Sequence, residues 1–127
     1  MELIMKTAFA LLLALPLAHA ACPELAGSYR CAVAETDPRS GFIHIGHVLV
    51  ADQDRYVLEM ENGSEIQTHL VTIGGRNTDI DSATCRGGAV RIQNGVHVTV
   101  LSKVGEDLVV QQISDDERSS VTCSAVK

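Results

Sequence analysis

The sequence predicts an all-β domain: a small antiparallel up-and-down barrel, or a strongly curled meander sheet, of 8–9 strands stapled by disulfides. Three observations carry that reading. Beyond residue 27 apolar and polar residues alternate with period two, and no stretch there repeats with a helical period. Asn62-Gly63 and Asn94-Gly95 each stand between two alternating runs, the strongest short-range hairpin signal. Four cysteines, Cys22, Cys31, Cys85 and Cys123, follow what reads as an export signal, and an even number in an exported chain implies disulfides.

That export signal comes first in the chain. Lys6 precedes an apolar run over residues 7–18, and Ala18-His19-Ala20 is a small-x-small cleavage site. The run is about a dozen residues, short of the roughly 20 that span a bilayer as a helix. Met5-Lys6 makes a more usual start than Met1. Residues 1–20 are therefore expected to be a signal peptide and residues 21–127 a single all-β domain, periplasmic or secreted, without an integral membrane span. Cys22 lies close enough to the cleavage site to raise lipidation. His19, however, stands where such sites place a branched apolar residue, so ordinary cleavage after Ala20 is favoured. The net charge of −6 argues against nucleic acid or an anionic membrane as partner, since both are met with basic patches.

The strands follow by alternation. Residues 28–34 form the first, with Tyr29, Cys31 and Val33 on one face. A loop around Pro38-Arg39-Ser40-Gly41 leads to the second, residues 42–51, apolar on both faces. Asp52-Gln53-Asp54 turns it into a third, where Tyr56, Leu58 and Met60 share a face opposite Glu59 and Glu61. Asn62-Gly63 turns again, and Ile66, Thr68, Leu70 and Thr72 alternate with Gln67, His69, Val71 and Ile73. Residues 74–82 are a longer polar loop. Around Cys85, Gly87-Gly88 reads as either a tight turn or a bulge within one long strand, which sets the count at nine or eight. Val90 and Ile92 then alternate with Arg91 and Gln93; after Asn94-Gly95, Val96, Val98 and Val100 alternate with His97 and Thr99. Residues 108–114 follow a Gly105-Glu106-Asp107 turn, residues 115–118 read as a solvated loop, and residues 121–126 are the last strand.

Short sequential strands with tight turns make a meander, and closing it removes exposed edges. A two-sheet sandwich is the runner-up. Eight strands would close with first and last antiparallel; nine would make that seam parallel or leave the sheet open. Four cysteines allow three connectivities. Cys31 with Cys123 and Cys22 with Cys85 are favoured, because Cys31 and Cys123 both point inward on strands that meet at closure. Cys22 with Cys31 and Cys85 with Cys123 is the rival pairing, favoured by proximity in sequence.

Gly27-Ser28-Tyr29 opens the first strand with a glycine-x-aromatic step. This step and the β-meander of an exported chain of this size resemble the lipocalin-type small barrels. There the aromatic residue is usually Trp, closing one barrel end; this chain carries Tyr29 and has no tryptophan. The resemblance implies a barrel fold and leaves the ligand open.

The candidate chemistry is sparse. His44, His47, His69 and His97 remain after processing, and they read as solvent-facing residues on barrel strands. His44 and His47 are three apart and so point to opposite faces of a strand. No spacing supplies three converging metal ligands. Neither a nucleophile motif, a phosphate-cradling glycine loop nor a C-x-x-C pair is present, so no catalytic residue and no cofactor is expected, and the chain is not read as an enzyme. Asp79, Asp81, Asp115 and Asp116 read as solvated loop acids, and Asn62-Gly63-Ser64 as a hairpin rather than a glycosylation acceptor. The expected function is a monomeric binding module that meets another protein, in the manner of an inhibitor, through loops at one barrel end. The alternative is a carrier of a small apolar ligand in the barrel interior. Cavity volume separates the two, since a small barrel is also able to fill itself with Val, Ile and Leu.

Overall fold

The computed structural model describes residues 22–31, 41–62 and 65–127. The expected signal peptide, the Pro38 loop and Gly63 of the Asn62-Gly63 turn lie outside the described residues. Among the described residues there is no helix, and therefore none long and apolar enough to cross a membrane. Nine strands form one sheet: β1 (Gly27–Cys31), β2 (Gly41–Val50), β3 (Gln53–Asn62), β4 (Glu65–Thr72), β5 (Ser82–Arg86), β6 (Ala89–Asn94), β7 (His97–Val104), β8 (Asp107–Ser114) and β9 (Glu117–Ala125). Their spatial order is β4-β3-β2-β1-β9-β8-β7-β6-β5, a nearly closed barrel whose two edges are β4 and β5.

Gly87-Gly88 is a tight turn, so the count is nine. The expectation for nine strands, a parallel seam or an open sheet, is corrected at the seam: β1 and β9 pair antiparallel, Tyr29 opposite Ala125 and Cys31 opposite Cys123, and the sheet stays open between β4 and β5 instead. The reason lies between β4 and β5. Each neighbouring pair around the sheet is antiparallel, which makes β4 and β5 run in the same sense. The loop 73–81 turns back on itself, and Gly74 N donates to Ala83 O at 3.0 Å where the chain re-enters the sheet. One connection that preserves direction restores the antiparallel seam.

Among the described residues the tight turns are two-residue hairpins, which moves four expected boundaries, and Asp107 thereby belongs to β8 with Gly105-Glu106 as the turn. The β2–β3 turn is Ala51-Asp52, both at positive φ (51° and 65°), so Gln53 and Asp54 belong to β3. The β6–β7 turn centres on Gly95-Val96, with Asn94 opposite His97. The β8–β9 turn is Asp115-Asp116, with Asp115 at φ 50°, and β9 starts at Glu117 inside the stretch that reads as a solvated loop. Asp tolerates the left-handed region because its short side chain bonds locally; Ala51 has no such compensation. Replacing Ala51-Asp52 by Asn-Gly is expected to stabilise the protein by about 1 kcal/mol in denaturant unfolding.

A two-residue turn pairs residue i with residue i+3, so the inward face switches between odd and even numbers at each hairpin. Tyr29 and Cys31 on β1 and Ile45 on β2 face inward with Tyr56 and Leu58 on β3 and Val71 on β4. On the other half of the barrel Ala83, Val90, Ile92, Leu101, Leu108 and Cys123 complete the core.

One barrel end is closed by the segment before β1. Leu25 is 0 % exposed. The Tyr29 hydroxyl donates to Leu25 O at 2.9 Å, and the Tyr56 hydroxyl donates to Pro23 O. Burial, with the Asp54 and Glu24 carboxylates nearby, holds the Tyr56 phenol well above its ordinary pKa, so it stays a donor. Cys22 is bonded to Cys85 across 63 residues, which anchors the segment to β5. Cys31 is bonded to Cys123 across 92 residues and ties β1 to β9.

Candidate ligand cavity

Away from that closed end the interior is not filled. A cavity of about 440 Å³ opens between the two halves of the barrel. Ile43, Leu58, Met60, Val71, Ile92 and Leu101 form its aliphatic walls, joined by Val110. Thr99 and Gln112, opposite each other on β7 and β8, and Asn94, His97 and Ser114, opposite one another on β6, β7 and β8, add polar groups on the inward face. His69 reaches the same space from β4, next to Leu58 in register. The cavity is therefore apolar over most of its lining, with two imidazoles and two amides on its walls.

The structure corrects the solvent-facing reading for His47 and His69, which are half-buried or better, while His97 borders the cavity and is exposed, as expected. His69 and His97 stand on the inward face and line the cavity, while Leu70, in the neighbouring outward position, is 53 % exposed. His47 also faces inward, beside the closed end. Its ring stacks on Tyr56 with centroids 4.2 Å apart, Nε2 lies 2.7 Å from Asp54 Oδ1, and Nδ1 lies 3.4 Å from Glu24 Oε1. Among the histidines of the described residues His44 alone is on the outer face, where Nδ1 meets Ser28 Oγ at 2.8 Å. His44 and His47 do point to opposite faces.

Parity is the signal that finds the inward histidines. Tyr56, Leu58 and Met60 face inward on β3, so a two-residue turn puts Gln67, His69 and Val71 inward on β4. Val90 and Ile92 inward on β6 put His97, Thr99 and Leu101 inward on β7 in the same way. Alternation within a strand gives two choices of face; pairing with the neighbour leaves one.

The loop 73–81 does not project as a presenting loop. Ile73 N donates to Asp54 O at 2.9 Å and Asp81 N to Gln93 O at 2.9 Å, which pins it between β3 and β6 across the open side. Within it Asn77 accepts from Thr72 N at 2.8 Å and donates to Thr72 O at 3.0 Å. Ile80 turns into the cavity. The Asp81 carboxylate accepts from Gly95 N at 2.7 Å, so this acid caps the β6–β7 turn. Asp115 and Asp116 form the β8–β9 turn. The loop acids are thus dispersed, and their visible roles are structural.

No family model matches the chain, and no curated protein matches it. A solved structure does: the fluorescent protein UnaG superposes with a TM-score of 0.62, covering 80 % of this chain and 96 % of that chain at 12 % identity. At that identity the likeness is one of fold, a nearly closed β-barrel.

Proposed function

We propose that the protein is an exported, non-enzymatic barrel that carries a small, mainly apolar ligand in its interior. The cavity of about 440 Å³ is the observation that supports this, since its volume falls in the range of small-molecule sites, roughly 300–1,000 Å³. A barrel filled by its own side chains would leave no such space. His69, His97, Asn94 and Gln112 on the walls would orient the polar end of a ligand whose body lies against Leu58, Ile92 and Leu101. The fold shared with UnaG is compatible with that role. Export rests on the apolar run and cleavage site of the first 20 residues and on the two disulfides, which persist in oxidising compartments. The reading that loops at one end meet a protein loses one of its two loops, because loop 73–81 is pinned along the wall.

The test is displacement of a solvatochromic apolar dye from purified mature protein, with native mass spectrometry for retained molecules. Thr99→Trp fills the cavity from a half-buried inward position. It is expected to weaken dye binding at least about tenfold while denaturant stability changes by less than about 1.5 kcal/mol. Wild-type protein that binds no dye and retains no small molecule would sink the carrier reading.

A further inference from the structure

The outer face of β2 and β3 brings His44 to a pair of carboxylates that lie well beyond it in sequence. His44 lies directly opposite Glu59, and Glu61 follows two residues further along β3, on the same face. One ligand atom from each of the three lies within 4.8 Å of the others. His44 Nε2 and Glu61 Oε2 are already 3.4 Å apart. We propose that His44, Glu59 and Glu61 form a binding site for a divalent transition-metal ion, of which zinc is the simplest probe.

The donor set fits that chemistry. One imidazole and two carboxylates are ordinary zinc ligands, with bonds of about 2.0–2.2 Å, which puts neighbouring donors about 3.4 Å apart in a tetrahedron. The His44–Glu61 separation already matches. The flexible Glu59 side chain closes the remaining ångström. The carboxylates are acceptors only, so a cation between them relieves their mutual repulsion.

The imidazole is also held as a metal ligand would need. Ser28 Oγ meets His44 Nδ1 at 2.8 Å, across the β1–β2 pairing of Ser28 with His44. That contact orients the ring and leaves Nε2 on the side of Glu61. Metal-bound histidines are ordinarily fixed through their other nitrogen in this way. Phe42 lies parallel to the ring, centroids 6.3 Å apart, and further limits its rotation.

Space for a fourth ligand is present. Gly27 and Gly46 flank the site without side chains, and a Cβ on Gly46 would meet only Val57 Cβ, at 3.9 Å. The result is an open hollow of about 320 Å³ lined by Ser28, His44, Gly46, Val57 and Glu59. Three protein donors with an open position admit water or an outside ligand to the metal. The site is on the outside of the barrel wall and is separate from the interior cavity, with which it shares no lining residue.

The experiment is calorimetric titration of metal-stripped mature protein with zinc chloride, with the thermal melt followed in parallel. One zinc per chain is expected, with a dissociation constant of about 10 µM or tighter. His44→Ala and Glu59→Gln are each expected to weaken it at least about tenfold, and Ser28→Ala severalfold. Glu59→Gln keeps the shape of the side chain and removes only its charge, so it reports on binding even if His44→Ala folds poorly. His69→Ala, which removes a cavity imidazole, is expected to leave zinc binding unchanged. No zinc uptake at about 100 µM, or uptake that survives both His44→Ala and Glu59→Gln, overturns the proposal.

Discussion

Replacing Cys31 and Cys123 together by alanine is expected to remove about 4–5 kcal/mol of stability. The bridge closes a loop across 92 residues, and in the chain-entropy account a long loop is where a cross-link restricts the unfolded chain most. Its place in the native state adds to this. Among the described residues the β1–β9 ladder pairs three positions, Tyr29 with Ala125, Arg30 with Ser124 and Cys31 with Cys123. By comparison β7 and β8 pair over eight. The seam that closes the barrel is thus one of its shortest ladders, and the disulfide sits in that ladder between two buried residues. A domain of this size is stable by only about 5–15 kcal/mol, so the double variant is expected to be substantially unfolded at 37 °C. Guanidinium unfolding of both proteins checks it. A midpoint shift equivalent to less than about 1.5 kcal/mol would mean that the unfolded chain is already compact enough for the cross-link to restrict little.

The all-β class, the hairpins and the inward row of β3 were legible because period two and turn residues are local signals. Tyr56, Leu58 and Met60 declare their face in six residues. The closure was not legible in the same way. Whether nine strands meet antiparallel depends on loop 73–81 keeping the chain's direction, and that loop is polar and uniform in sequence. Its anchors, Asn77 on Thr72 and Asp81 on Gly95, are side-chain contacts between residues that only the fold brings together. The cavity shows the same division. Its aliphatic walls follow from alternation, but His69 and His97 follow only once register is passed across a turn from one strand to the next. The outer-face trio is one step further removed, because His44 and Glu59 meet through strand pairing across the intervening Ala51-Asp52 turn. Spacing rules built for neighbouring residues have no term for such a pair.

Leu25→Ala is expected to destabilise the protein by about 3 kcal/mol while leaving dye binding in the cavity intact. Leu25 is fully buried yet belongs to no strand, so no ladder of backbone hydrogen bonds holds it. Its segment stays on the barrel end through the Cys22–Cys85 bridge, the two tyrosine hydroxyls, the Glu24 contact with His47 and this side chain. Truncation removes the transfer free energy of the side chain and leaves a hole against Tyr29 and its neighbours that the bridge prevents from collapsing freely. Tyr29→Phe, which deletes only the bond to Leu25 O, is expected to cost less, about 1–2 kcal/mol. The two changes act on one contact, so the double variant should lose less than their sum. No residue of the segment 22–26 lines the cavity, which is why ligand binding and stability separate here. Denaturant unfolding of the two single variants and the double variant, beside dye titration of Leu25→Ala, gives the answer. A loss below about 1 kcal/mol would show the segment to be a covering held by its disulfide alone. A parallel loss of dye binding would show that the closed end and the cavity are one cooperative unit.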